Sequence, residues 1–147
     1  MIALIQRVQN ASVTVATKRI AQINHGMLIL LGVEATDTEV TAEKLLQKIL
    51  KFRMFSDEQG KMNLNIEQIS GDILIVSQFT LVADTLKGNR PGFSRGASPE
   101  LGQQLYDHFV ATIKSQTQCT IQTGQFGADM QVALVNDGPV TFTLNME

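Results

Sequence analysis

Met27–Val33 reads "MLILLGV", an unbroken apolar run with the turn chemistry of His25-Gly26 just before it. Crossing a bilayer takes about 20 apolar residues, and this run is far shorter. It therefore reads as a central strand buried on both faces. Upstream, "IALIQRVQNASVTV" alternates around Asn10, with Leu4, Val8, Val13 and Val15 suited to packing on one face or the other, so the opening segment is also β. Downstream, "TDTEVTAEKLLQKILKFRMF" changes period. Ala42, Leu45, Leu46, Ile49 and Leu50 make one helical stripe, Lys44, Lys48 and Lys51 fall on the wet face, and Thr36 with Glu39 predicts a capping box at the start. In "RMFSDEQGKMNLN" a strand end, a polar turn at Asp57–Gly60 and an extended return follow.

The second half has the same grammar. "DILIVSQFTL" (Asp72–Leu81) is an apolar strand that runs directly into polar residues. "VADTLKGNRPGFSRGAS" is a long loop whose Lys87, Arg90 and Arg95 suit solvation and phosphate contacts equally. Ser98-Pro99 is an N-cap with proline at N1, opening a helix with Leu101, Leu105, Phe109 and Ile113 as its buried stripe. "CTIQT", a Gly124–Gly127 loop, "MQVALV" and "VTFTL" return the chain to β structure, the last two joined by an expected turn at Asn136-Asp137-Gly138. Strands and helices do not alternate strictly. The expected fold is mixed α/β: a barrel-like mixed β-sheet core flanked by two main helices, in a single domain spanning residues 1–147.

Composition narrows the function classes. A chain of 147 residues can bury roughly 70% of its unfolded surface and needs no staples. Net charge is −2 with no Lys/Arg block, so the chain lacks an electrostatic footprint for DNA or extended RNA, although gripping one RNA end stays open. Cys119, the single cysteine, cannot form an internal disulfide and reads as a small buried hydrophobe in a reducing cytosol. The first residues carry no signal-peptide pattern, so a cytoplasmic protein without membrane contact is expected.

The usual sources of catalysis are missing. There is no His/Cys/Glu cluster at metal spacing, no phosphate-binding glycine loop and no G-x-S-x-G elbow, and no metal or cofactor is expected. His25 reads as a loop residue, and His108 flanks the buried stripe of its helix. Two places remain. Ser77, Gln78 and Thr80 in "SQFTL" emerge where a strand ends, either capping the sheet or lining a pocket with free backbone N–H groups. Gly138-Pro139, in "VNDGPVTFTL", puts a proline at the head of a strand, where it removes a backbone donor. Either it is a trans turn on a strand edge, or a cis bond turns two carbonyls outward to accept an ammonium group.

Both motifs in this order, with "MNLN", "RPGFSRGAS" and "GQFGADMQVALVNDGPVTF", resemble the D-aminoacyl-tRNA deacylase family from Ile5 to Phe142. The resemblance implies a cytoplasmic homodimer that hydrolyses the ester between a D-amino acid and the 3′ end of tRNA, and that also removes glycine mischarged on tRNA for alanine. It implies that Gly138 and Pro139, joined by a cis bond, enter the partner subunit's active site as a chiral screen. Arg7 would pin their carbonyls, and Ser77, Gln78, Phe79 and Thr80 would form the catalytic floor. Phe126 and Met130 would cover the terminal adenine, although ordinary core packing suits them too. The attack could be launched by Thr80 or by a water activated through the substrate's 2′-OH. A small-ester hydrolase and a non-cleaving RNA-end module are the rival readings.

Overall fold

The computed structural model describes residues 1–147 throughout. Its first strand, β1 (Ile2–Val15), is hydrogen-bonded along both edges. On one side lie β2 (Lys18–Ile23) and β3 (Gly26–Gly32), both antiparallel to it. On the other lies β8 (Gln131–Asn145), antiparallel over nearly the whole length. Beyond β3 come β6 (Asp72–Ser77) and β7 (Ile121–Thr123), both in parallel pairing. A separate ribbon joins β4 (Phe55–Ser56) to β5 (Met62–Leu64), bearing out the expected turn and extended return.

Both faces of the central strands β3 and β6 are buried. Met27, Ile29, Leu31, Ile73 and Ile75 point to the larger core, shared with α1 (Glu39–Lys51) and α2 (Pro99–Gln116). Leu28, Leu74 and Val76 point the other way, into a smaller core closed by Ala21 and Ile23 of β2. There β2 folds across β6 and β7, and the sheet curls into a nearly closed barrel. The apolar run at 27–33 is buried on both sides because a layer covers each face. Strand β1 serves both cores, with Ala3 and Ile5 in the first and Val8, Ala11 and Val13 in the second. Pure alternation cannot do this. The register shift between Val8 and Asn10 in its pairing with β8, where Gln9 has no partner, coincides with the break in alternation.

The helices match the predicted stripes. Ala42, Leu45, Leu46, Ile49 and Leu50 of α1 are buried, as are Leu105, Phe109 and Ile113 of α2, with Leu101 half-buried. Ser98 caps α2 by accepting from the Leu101 amide at 3.2 Å. The cap of α1 differs from expectation. Thr38, not Thr36, is the N-cap, and its box partner is Thr41 rather than a Glu. Glu39 is the first helical residue and meets the helix dipole there. The expected hairpin at Asn136-Asp137-Gly138 is also absent, since β8 runs straight through these residues. The Met1 ammonium is buried against Glu34 at 2.8 Å and Asp37 at 2.7 Å, with the Met146 carbonyl at 2.9 Å, which draws both ends of the chain onto the sheet. No helix is long and apolar enough to cross a membrane.

Gly26 lies opposite Asp72 at the first rung of the β3–β6 ladder, and a Cβ there would run into the Asp72 carbonyl. Gly26→Ala is expected to destabilise the protein by about 1–3 kcal/mol or more, since backbone must shift. Urea unfolding should show a lower midpoint at unchanged slope.

Candidate active site

Strand β6 stops at Ser77, and the Gln78 amide makes the last rung to the Leu31 carbonyl at 2.7 Å. The chain then turns into one 3₁₀ turn, Phe79–Val82. The turn's first hydrogen bond runs from the Leu81 amide to the Gln78 carbonyl at 3.2 Å. The amides of Phe79 and Thr80 precede it and lie outside its ladder, as the first donors of any helical turn do. A strand that ends in a half-made helix thus presents two adjacent N–H groups beyond the sheet.

Beside this strand end lies a cavity of about 510 Å³. Ser77, Gln78 and Phe79 form one side, and Phe126 and Met130 another. Gly102 and Tyr106 close it from α2, and Phe93 stands at its edge. The structure therefore brings Ser77, Gln78 and Phe79 together with the pair expected over an adenine, while Thr80 lies exposed outside the lining. Phe126 packs against the helix backbone, 3.4 Å from where a Cβ on Gly102 would stand, and its ring centroid is 5.7 Å from that of Tyr106. Phe79 is 67% exposed and Phe93 44% exposed, with ring centroids 5.2 Å apart. An exposed aromatic pair at a cavity mouth is apolar surface ready to be covered.

No general base faces this cavity. Gln78 Nε2 donates to Thr80 Oγ1 at 2.6 Å, and a neutral amide in either orientation takes no proton. His25 lies by Asp137 and Phe55, while His108 pairs with Glu43 at 3.1 Å and Glu39 at 3.8 Å on α1. The Tyr106 hydroxyl donates to the Ile75 carbonyl at 2.9 Å, and burial, reinforced by the nearby Asp107 charge, pushes its pKa up to about 12. Tyr106 is thus a neutral structural donor.

Gly138, Pro139 and Arg7 form a second cluster elsewhere. The Gly138-Pro139 bond is cis. Between Asn136, opposite Val8, and Thr141, opposite Gln6, β8 carries Asp137–Val140 where β1 carries only Arg7. The surplus bulges outward, leaving Gly138 and Pro139 exposed. The bulge is braced twice. Asn136 accepts from the Val140 amide at 2.7 Å and donates to the Val140 carbonyl at 3.2 Å. Arg7 Nε donates to the Asp137 carbonyl at 2.7 Å, and its guanidinium also reaches the Met54 carbonyl at 3.0 Å. Arg7 thus holds the carbonyl one residue before the Gly-Pro pair. A side chain on Gly138 would strike the Val140 amide.

The two clusters do not meet within one chain. Arg7 is in register with Met27 and so with Ile73, four residues before Ser77 on β6. That offset, with three strand spacings from β8 to β6, separates them by about 20 Å along the sheet. Sequence reasoning missed Gly102, Tyr106 and Phe93 as lining residues and Asn136 as the brace. Gly102 and Tyr106 share a helix face, but their type and spacing match core packing equally well.

The chain is similar over nearly its whole length to known proteins. The family model described as D-Tyr-tRNA(Tyr) deacylase matches residues 4–145. The D-aminoacyl-tRNA deacylase of Alteromonas mediterranea is 62% identical over 99% of this chain and 100% of that protein. Those of Pseudoalteromonas atlantica and Haemophilus influenzae are 60% and 57% identical at the same coverage. Among solved structures, one titled c-Myc DNA Unwinding Element Binding Protein superposes with TM-score 0.94 at 41% identity, covering 99% of this chain and 98% of that one. A probable eukaryotic D-amino acid tRNA deacylase gives TM-score 0.82 at 17% identity, covering 97% of each chain, a likeness of fold alone.

Tyr106 is the only tyrosine and there is no tryptophan, so alkaline absorbance reads this one hydroxyl. Its transition is expected near pH 12 rather than 10. A pKa raised in the folded state contributes stability that is complete below pH 10 and is lost as pH rises towards 12. A transition near pH 10 with the fold intact would show the hydroxyl to be free.

Proposed function

The chain belongs to the D-Tyr-tRNA(Tyr) deacylase family and is a hydrolase of the D-aminoacyl-tRNA deacylase class, and from that premise we propose how its residues act. Water attacks the carbonyl carbon of the ester between the D-amino acid and the terminal ribose. The Phe79 and Thr80 amides receive the developing oxyanion, the 3′-oxygen leaves with a proton, and free D-amino acid and tRNA result. Donors fixed by the main chain need no reorganisation as charge builds, which is where such sites gain most. The observation that carries this reading is the cavity at the end of β6, lined by Ser77, Gln78 and Phe79 and devoid of a general base.

The attacking water is oriented by the 2′-OH of the terminal ribose, and Thr80 is not the nucleophile. Its hydroxyl has an amide donor beside it and no group to take its proton, and an unassisted hydroxyl is weak at neutral pH. Phe126 and Met130 take the adenine by stacking and soft packing.

Chirality is screened across a homodimer. Gly138 and Pro139 of one subunit enter the partner's cavity, and their carbonyls accept the α-ammonium. The side chain of a D-residue then points outward, while that of an L-residue meets main chain that no rotamer can move aside. Glycine on tRNA for alanine passes the same screen because it has no side chain to refuse. Three features support the cross-subunit arrangement: the bulge is braced outward, it lies far along the sheet from its own Ser77, and the Phe79–Phe93 pair lies bare.

The structural relative whose title refers to a DNA element favours a second reading, in which the pocket binds a nucleic-acid end without cutting it. Incubation with D-tyrosyl-tRNA and L-tyrosyl-tRNA separates the two. Release of the D form alone supports the deacylase, and stable binding without release supports the module.

Thr80→Ala is expected to keep most of the activity, whereas a 2′-deoxy terminal ribose should abolish it; the opposite pattern would reinstate Thr80 as nucleophile. Mixing an Arg7→Ala protein with a Phe126→Ala protein, each impaired alone, should recover activity after subunit exchange. Failure to recover it, with heterodimers present, counts against a shared site.

A further inference from the structure

A second concavity lies on the far side of Phe126. It is a groove of about 550 Å³ between α2 and the segment Thr123–Phe126. Tyr106 and Phe126 line both this groove and the cavity, so the Phe126 ring stands as a partition between them. Along α2, Gln103, Asp107, Ala111 and Lys114 form an exposed stripe on the groove wall. Neither Asp107 nor Lys114 takes part in an ion pair, so both charges are free to meet a ligand. Gln125, also exposed, faces them from the opposite wall.

Resting on the deacylase reading, we propose that this groove is the subsite for the cytidine nucleotides that precede the terminal adenosine of tRNA. Lys114 takes a backbone phosphate, and Asp107 accepts from the exocyclic amine of a cytosine.

The partition explains why the two hollows adjoin. An aromatic ring with one face to the adenosine and the other to the next base continues the stack of a single-stranded end, and every base has a π-face to offer it. Dimensions agree. From Tyr106 to Lys114 the helix rises about 12 Å, while stacked nucleotides rise about 3.4 Å each. That length holds two nucleotides and brings a phosphate to Lys114. The charges are ordered to suit. Asp107 lies beside the partition, where a base edge would be, and a carboxylate is the natural acceptor for cytosine N4. Lys114 lies two turns farther on, where the backbone would leave. An acceptor of that kind matches the C-C-A end common to tRNAs. One phosphate contact also suits a chain of net charge −2.

The test compares two substrates, D-tyrosyl-tRNA and the minimal ester 3′-O-D-tyrosyl-adenosine. Lys114→Gln should raise KM for the charged tRNA severalfold with kcat unchanged, and should flatten the salt dependence of kcat/KM by about one unit of log–log slope. Lys114→Arg should restore both. The minimal ester, which has no preceding nucleotides, should be cleaved equally by all three proteins. Asp107→Asn should raise KM for tRNA ending in C-C-A and lose most of that effect when the penultimate base is uridine. An unaltered KM for tRNA in Lys114→Gln, or an equal rise for both substrates, would overturn the assignment of the groove. Wild-type protein inert towards both esters would instead sink the deacylase reading, and the groove with it.

Discussion

The structure depends on β1 being hydrogen-bonded along both edges over most of its length. A strand tied on two sides cannot slip without turning its apolar set to the wrong face, so its register is strongly specified. The ladder is nevertheless uneven. Where β1 offers Arg7 alone, β8 brings Asp137–Val140, and the surplus has no place except outside the sheet. A second irregularity two residues on, where Gln9 of β1 has no partner on β8, lets one strand feed the helix-covered core with Ala3 and Ile5 and the barrel interior with Val8, Ala11 and Val13. The change of face and the outward bulge thus come from two adjacent mismatches in count, one on each strand.

Arg7 links them. Its guanidinium lies 12% exposed under the bulge, bonded to the Asp137 carbonyl on β8 and to the Met54 carbonyl just before β4. A charged donor at two neutral carbonyls is a strong clamp. Asn136 adds a second, closing the bulge through the Val140 amide and carbonyl. The exposed pair is therefore held by its neighbours on both sides rather than left as a loose loop.

Much of this is legible in the sequence. The run at 27–33 is a strand buried on both faces, α2 begins at the Ser98-Pro99 signal, and the polar residues after Val76 do mark a strand end beside a cavity. Those features are local, written in spacing and in cap chemistry. The misreadings arose where long-range contacts outweighed local signals. Asn136-Asp137-Gly138 has the composition of a hairpin turn, but β1 pairs with residues on both sides of it, so the strand continues past a bulge instead of reversing. Thr36 and Thr38 are alike as caps, and only the position of the first helical turn selects Thr38. Tyr106 was hidden by its chemistry: a buried aromatic on a helix stripe reads as core, and the cavity it lines exists only once the end of β6, α2 and the Gly124–Gly127 loop converge.

In the mechanism proposed above, the donors at the end of β6 are main-chain amides, and the dipeptide on the bulge offers main-chain carbonyls. Such groups are written into no particular codon. A point mutation can remove a histidine or a serine from an ordinary active centre, but it cannot delete a peptide bond. Damage must instead come through backbone path, by way of Gly26, Arg7, Asn136 or Gly138. Genetic drift at the reacting surface itself should therefore be tolerated unusually well, and an engineer wishing to invert the handedness of the pocket would have to redraw the chain trace rather than swap side chains.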